Sequence, residues 1–163
     1  MNNQFARTLF QSNAGFAALV LRVPVGLVLA AHGTQKLFGW FGGYGLEGTG
    51  QWMASIGLEP GYLMALMAGS AEFFGGLALA LGLLTRPAAL VSAATMLVAT
   101  FAVHIGNGLF MSNNGYEYAL TLLVVSVALA IQGGGRFALD NLLLERVDGA
   151  GNGQPVAVQA RAT

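Results

Sequence analysis

Four long apolar runs, separated by short glycine-rich or polar segments, occupy most of the chain. A helix needs about 20 mostly apolar residues to cross about 30 Å of hydrocarbon. The runs cover residues 14–38, 61–84, 87–110 and 116–134, and the last is the shortest. This pattern predicts an all-α membrane protein built as a bundle of four transmembrane helices.

Two shorter segments show helical periodicity outside these runs. Residues 49–56 place Trp52, Met53 and Ile56 on one face, which predicts a short outer helix that caps the bundle or lies in the interface. Residues 136–147 place leucines on one face beside charged side chains, which predicts a C-terminal amphipathic helix on the cytoplasmic membrane surface.

The composition of the end of the chain sets the expected domain boundary. Residues 148–163 are rich in Gly, Gln, Asn, Pro and Ala, which cannot bury enough apolar surface to order a chain. We therefore predict one membrane domain over residues 1–147 and a disordered tail over residues 148–163.

Composition and charge exclude several classes of function. Hydrophobic residues make up 55% of the 163 positions and charged residues only 9%, which is typical of an integral membrane protein. The net charge is zero and the chain has no run of basic residues, so the sequence predicts no positively charged surface that could bind nucleic acid. The absence of cysteine excludes disulfides and thiolate catalysis within the chain. Any thiol chemistry must therefore belong to a partner.

The distribution of arginines predicts the orientation of the spans. Arg7, Arg86, Arg136 and Arg146 fall on one side of a four-span arrangement. Lys and Arg near span ends favour the cytoplasmic side. We expect a multi-pass protein of the bacterial inner membrane with both termini in the cytoplasm.

Glu72 lies midway along the second apolar run, where a charge needs a compensating partner. A central acidic residue costs roughly 2.5 to 3.5 kcal/mol on insertion scales. Arg22 lies at a similar depth in the first run, which predicts a buried ion pair between Arg22 and Glu72 that fixes helix register. The alternative role for Glu72 is a proton relay or a ligand contact.

A second polar group is expected near the outer ends of the spans. His32 and Lys36 are four residues apart and share a helix face. His104 and Asn107 end the third run, and Glu117 begins the fourth. Together with Glu72 these are the candidates for ligand binding or proton relay: His32, Lys36, Glu72, His104, Asn107 and Glu117.

This outer group allows three interpretations, and none identifies a catalytic residue. A hydrogen-bonded pocket for a quinone-like amphiphile fits the general pattern of apolar sites with a few polar groups. Haem or another metal is disfavoured because the ligand set is incomplete. The third interpretation is a structural network in which every polar group is satisfied.

At these residues the chain resembles the DoxX family of small four-helix bacterial inner-membrane proteins, which is related to the DoxD subunit of thiosulfate:quinone oxidoreductase. The order and spacing of the motifs, which cover nearly all of the chain before the tail, make the resemblance specific. The motifs are Arg22-Val23-Pro24-Val25-Gly26, His32-Gly33, Lys36-Leu37-Phe38-Gly39, Glu72 with Gly75-Gly76, and Gly82-Leu83-Leu84-Thr85-Arg86, with further support from His104 and from Gly135-Arg136-Phe137-Ala138-Leu139-Asp140.

The resemblance implies a four-helix bundle and a role in redox or oxidative-stress chemistry within a membrane-associated oxidoreductase complex. It also implies contact with the lipid bilayer and a partner subunit, and a homo-oligomer is compatible with it. Without cysteine or a cofactor motif, we do not expect the chain to catalyse electron transfer alone. Two alternatives remain open: a noncatalytic scaffold or assembly protein, and a small transporter or proton pathway.

Overall fold

A computed structural model describes residues 3–151, and over this range the chain is helical without a strand. The α-helices are α1 (Asn3–Phe10), α2 (Ala17–Phe38), α3 (Gly45–Ser55), α4 (Gly61–Leu81), α5 (Thr85–Val98), α6 (Glu117–Gln132) and α7 (Asp140–Gly151). The part of the predicted disordered tail beyond residue 151 lies outside the described residues.

Three helices are long and apolar enough to cross a membrane. They are α2, α4 and the continuous helical segment Thr85–Asn107 that begins with α5. The fourth apolar run forms α6, whose 16 residues extend about 24 Å. The all-α membrane architecture is confirmed, while α6 falls short of the length of the other three.

Helices α2 and α4 pack so closely that their backbones touch. A methyl group on Gly26 would lie 2.5 Å from the Gly76 carbonyl oxygen, and one on Gly33 would lie 2.4 Å from the Phe73 nitrogen. Small residues permit this close approach between helices in lipid. The contact fixes the antiparallel register of the two helices, so that residue 33 lies opposite residue 73.

The outer end of the third predicted span departs from a regular α-helix. Residues Ala99–His104 form a π-helical segment, and Ile105–Asn107 continue as a 3₁₀ turn. A π-turn takes about one more residue per turn, so it rotates the side chains that follow it. The predicted span to residue 110 is therefore too long, because the helix ends at Asn107.

The short helix α3 covers the end of the bundle opposite the α4–α5 turn. It packs against α4 and α2, and Met53 is buried there. Its close approach to α4 requires glycine, since a methyl group on Gly61 would lie 2.1 Å from the Gly50 carbonyl oxygen. The predicted outer helix is confirmed, although it begins four residues earlier than expected.

At the end of the bundle that holds the α4–α5 turn, Arg22 and Asp140 join three separate segments. Arg22 is 1% exposed, and its guanidinium donates to four backbone carbonyls of the described residues. The acceptors are Leu79, Ala80, Gly134 and Phe137. The buried carboxylate of Asp140 accepts from the backbone nitrogens of Leu84 at 2.6 Å and Thr85 at 2.9 Å. The last helix therefore begins at Asp140 rather than at Arg136.

Candidate functional site: a polar cluster in an apolar cavity

A cavity of about 620 Å³ lies between α2, α4, α5 and α6, beneath α3. Its volume is in the range of about 300 to 1,000 Å³ that is usual for small-molecule sites. Most of its wall is apolar, and five ionisable side chains reach it from four different helical segments. They are His32, Lys36, Glu72, His104 and Tyr118.

The centre of the polar cluster is an ion pair between Lys36 and Glu72. The Lys36 Nζ lies 2.6 Å from the Glu72 Oε2. Glu72 is 3% exposed, and the Lys36 side chain is 22% exposed. Among the described residues, Oε1 of Glu72 has no hydrogen-bond partner. The pair therefore holds opposite charges together while leaving an acceptor oxygen and two ammonium hydrogens for another molecule.

The predicted ion pair between Arg22 and Glu72 is wrong. Helix register explains the difference, because Gly69 of α4 packs directly against Lys36 and Leu37. This contact brings Lys36 level with Glu72. Arg22 instead lies beside Leu79, about 10 Å further along α4. Its charge is satisfied by carbonyls at the end of the bundle that holds the α4–α5 turn, with Asp140 as the nearby carboxylate.

The two histidines present the same ring nitrogen. His32 Nδ1 lies 3.0 Å from the Val28 carbonyl oxygen, and His104 Nδ1 lies 2.9 Å from that of Asn114. A carbonyl oxygen only accepts, so Nδ1 carries the proton in each ring. In the neutral form, Nε2 of both rings is then a hydrogen-bond acceptor. The π-helical segment ends at His104, and the His104 side chain lines the cavity together with that of His32.

Tyr118 is a site residue that the sequence interpretation did not select. Its ring centroid lies 5.9 Å from that of His32, with the planes tilted by 36°. Ala119 and Leu122, on the same part of α6, also line the cavity. The available signal was a phenol at the start of an apolar run, beside Glu117. Tyrosines at the start of a span are common at headgroup depth, so this signal alone does not indicate a site.

Asn107 and Glu117 lie outside the cavity wall and hold the loop between the segment ending at Asn107 and α6. Asn107 Nδ2 donates to the Asn114 carbonyl at 3.2 Å, and Glu117 Oε1 accepts from the Met111 nitrogen at 2.6 Å. Met111 and Asn114 form part of the cavity rim. These two candidates therefore act on the cavity only through the loop that borders it.

The arrangement suits hydrogen bonding and proton transfer. Across residues 3–151 no three His, Cys, Asp or Glu side chains converge in a way that could hold a metal ion. Lysine, tyrosine, histidine and glutamate together offer both donors and acceptors within one largely apolar space. Such a site can bind the polar head of an otherwise apolar molecule.

Comparison with known proteins assigns the family. The DoxX family profile matches residues 17–105, a range that includes four of the five ionisable side chains of the cavity. The chain belongs to the DoxX family. Tyr118 lies beyond the matched segment. No solved structure matches this DoxX chain.

Several curated DoxX-like proteins resemble this chain over most of its length. "Putative oxidoreductase CatD" of Bacillus subtilis is 35% identical over 75% of this chain and 83% of its own length. "Inner membrane protein YqjF" of Escherichia coli is 36% identical over 77% and 90%. An uncharacterized protein of Haemophilus influenzae is 33% identical over 77% and 90%.

Proposed function

We propose that this DoxX protein binds a small quinone-like amphiphile in the cavity and serves as a subunit of a membrane-associated redox system. The observation that carries the proposal is the Lys36–Glu72 pair in the wall of an apolar cavity that His32, His104 and Tyr118 also line. The Bacillus subtilis relative named as a putative oxidoreductase supports the redox role.

The donor and acceptor set fits the head of a quinone in both of its redox forms. Carbonyl oxygens of a quinone can accept from the Lys36 ammonium and the Tyr118 hydroxyl. Hydroxyl groups of a quinol can donate to Nε2 of His32 and His104. When bound, the quinone supplies two-electron, two-proton redox chemistry, while the protein residues orient it and hold or release protons at these atoms.

The electrons must come from a partner or from a second bound group. This chain has no cysteine and therefore no thiol that could exchange electrons. We propose a partner oxidoreductase subunit for that role. In this scheme the two protons that quinone reduction takes up reach the ligand through Glu72, and the adjacent Lys36 stabilises the carboxylate between transfers.

We further propose a topology of four spans with both termini in the cytoplasm. The support is that α6 is apolar along its length and that Arg22, Arg86 and Arg136 lie near the end of the bundle where α4 meets α5. Arginines near span ends favour the cytoplasmic side. The Escherichia coli relative is named as an inner membrane protein, which supports the same membrane for this chain.

The test is co-purification of the ligand. We expect wild-type protein in mild detergent to carry a quinone, detected by mass spectrometry of the organic extract. His32→Ala should lower the bound amount about tenfold, since one good hydrogen bond to a buried group contributes about 1.4 kcal/mol. Thr121→Ala, on an exposed position of α6 outside the cavity, is the matched control.

The opposite result would favour a structural role. If wild-type protein carries no quinone and does not bind added decyl-benzoquinone, the cavity is not a quinone site. A scaffold would also tolerate His32→Ala without loss of partner activity. In that case Glu72→Ala should lower protein abundance, because it leaves Lys36 without its counter-ion.

A further inference from the structure

Helices α4 and α5 separate from each other towards the outer face. A tight turn at Gly82 joins them at the inner end, and a methyl group on Gly75 would lie 3.2 Å from Ser92 Oγ. Beyond this contact, both helices contribute one face to the cavity. These residues are Met64, Met67, Ala68 and Ala71 of α4, and Val91, Ala94, Thr95 and Val98 of α5.

The wall formed by α4 and α5 is also part of the outer surface. Met67 is 58% exposed, Val98 50% and Val91 47%, although all three border the cavity. Both helices belong to segments long and apolar enough to span a membrane, so this surface faces hydrocarbon. The seam between α2 and α4 is closed at the level of the cavity by contact between Gly33 and the Phe73 backbone, and the residues that α2 and α6 contribute to the cavity wall are buried or half-buried. The cavity therefore opens sideways between α4 and α5.

The route from the outer aqueous face passes larger side chains. Trp52, Met53 and Leu58, in and just after α3, cover the cavity from above, and Met111 closes the rim from the other side. Small side chains in the α4–α5 cleft, Ala68, Ala71 and Ala94, leave width for an alkyl or isoprenoid chain. A molecule dissolved in the bilayer would reach the Lys36–Glu72 pair without crossing water.

We infer that the α4–α5 cleft is a lateral portal for a bilayer-dissolved amphiphile, whose polar head reaches the Lys36–Glu72 pair and whose apolar tail stays in the cleft. The inference rests on the proposed function and adds the ligand class and its route. A tail in the cleft continues into the surrounding acyl chains. The preferred ligand is thus long-tailed and neutral rather than a water-soluble analogue of the same head.

The test uses the two tryptophans of the chain. Trp52 lines the cavity, so Trp40→Phe leaves a single fluorescent reporter of ligand arrival. This reporter protein, in proteoliposomes, is mixed with vesicles that carry decyl-benzoquinone, and the quenching of Trp52 is followed in time. Ala94→Phe should slow the quenching about tenfold by filling the cleft. Met67→Ala should accelerate it by widening the same opening.

The matched control is Leu90→Phe, which adds an aromatic ring to a lipid-facing position of α5 that does not line the cavity. Saturable quenching with equal rates in the reporter, Ala94→Phe and Met67→Ala proteins would overturn the portal and leave the quinone site standing. A change of oligomeric state with Ala94→Phe, without a change in quenching rate, would also overturn the portal, because it would mean that another helix covers the cleft. No saturable quenching in the reporter protein would overturn the proposed function, and the portal with it.

Discussion

Glu72 keeps a carboxylate almost fully buried within an apolar helix because Lys36 lies 2.6 Å away. Lys36 is the only lysine of the chain, and Glu72 is the only acidic residue within α4. The sequence shows that Glu72 needs a cation, but it offers two of them on α2. The register that the glycine contacts at Gly33 and Gly69 set between α2 and α4 decides between Arg22 and Lys36. A single sequence does not show which residues of the neighbouring helix such glycines contact.

The energetic role of the pair is testable by removing one charge and then both. Lys36→Met should lower the free energy of unfolding by about 3 to 5 kcal/mol, because it leaves a buried carboxylate without a counter-ion. The double variant Lys36→Met with Glu72→Gln should lose less than Lys36→Met alone. Reversible unfolding in mixed micelles measures both values. Glu47→Gln, at an exposed acid of α3, is the control. If the double variant loses as much stability as Lys36→Met and Glu72→Gln lose separately when added together, the two charges do not interact.

Among the helices, apolar length and periodicity predicted α2, α4, the helical segment Thr85–Asn107 and α6 within a few residues. They did not predict α1, which packs against α7 and α5, because its eight residues form no long apolar run. They also missed the π-helical segment at Ala99–His104, since its residues are compatible with an ordinary α-helix. Hydrogen-bond partners that lie far apart in sequence decide where α7 begins.

The start of α7 depends on Asp140, which offers a separate test. Each carboxylate oxygen accepts one backbone N–H of the α4–α5 turn, from Leu84 and from Thr85. Asp140→Asn keeps one acceptor and places an NH₂ group against the other donor. We expect a loss of about 1.5 to 3 kcal/mol, seen as a lower melting temperature in detergent. Glu145→Gln makes the same chemical change at an exposed position of α7. Equal melting of the two variants would contradict a role for Asp140 in joining these segments.

Across the whole molecule, the sequence predicted which polar residues lie in the same region of the bundle better than which of them form pairs. His32, Lys36, Glu72 and His104 were selected from their depth, and all four line one cavity. Asn107 and Glu117 were selected on the same basis, but they lie outside the cavity and bond to the loop that borders it. Depth along a helix can be counted from sequence, whereas rotation after a π-turn and the path of a loop depend on packing.

The number of membrane crossings is the remaining property of the whole molecule, and α6 decides it. Its 16 residues extend about 24 Å, which a bilayer can accommodate by thinning locally at a cost of fractions of a kcal/mol per Å. Leaving this apolar helix out of the membrane would expose its lipid-facing side chains to water, at about 25 cal/mol per Å². The second cost is larger, since Val124, Val127 and Ile131 are all exposed on α6. We therefore expect α6 to cross.

Cysteine labelling tests this number of crossings. The chain has no cysteine, so a single introduced cysteine reports its side of the membrane without background. In intact spheroplasts an impermeant maleimide should label Ser112→Cys but neither Asn13→Cys nor Glu145→Cys. Labelling of Glu145→Cys together with protection of Asn13→Cys would instead establish three crossings.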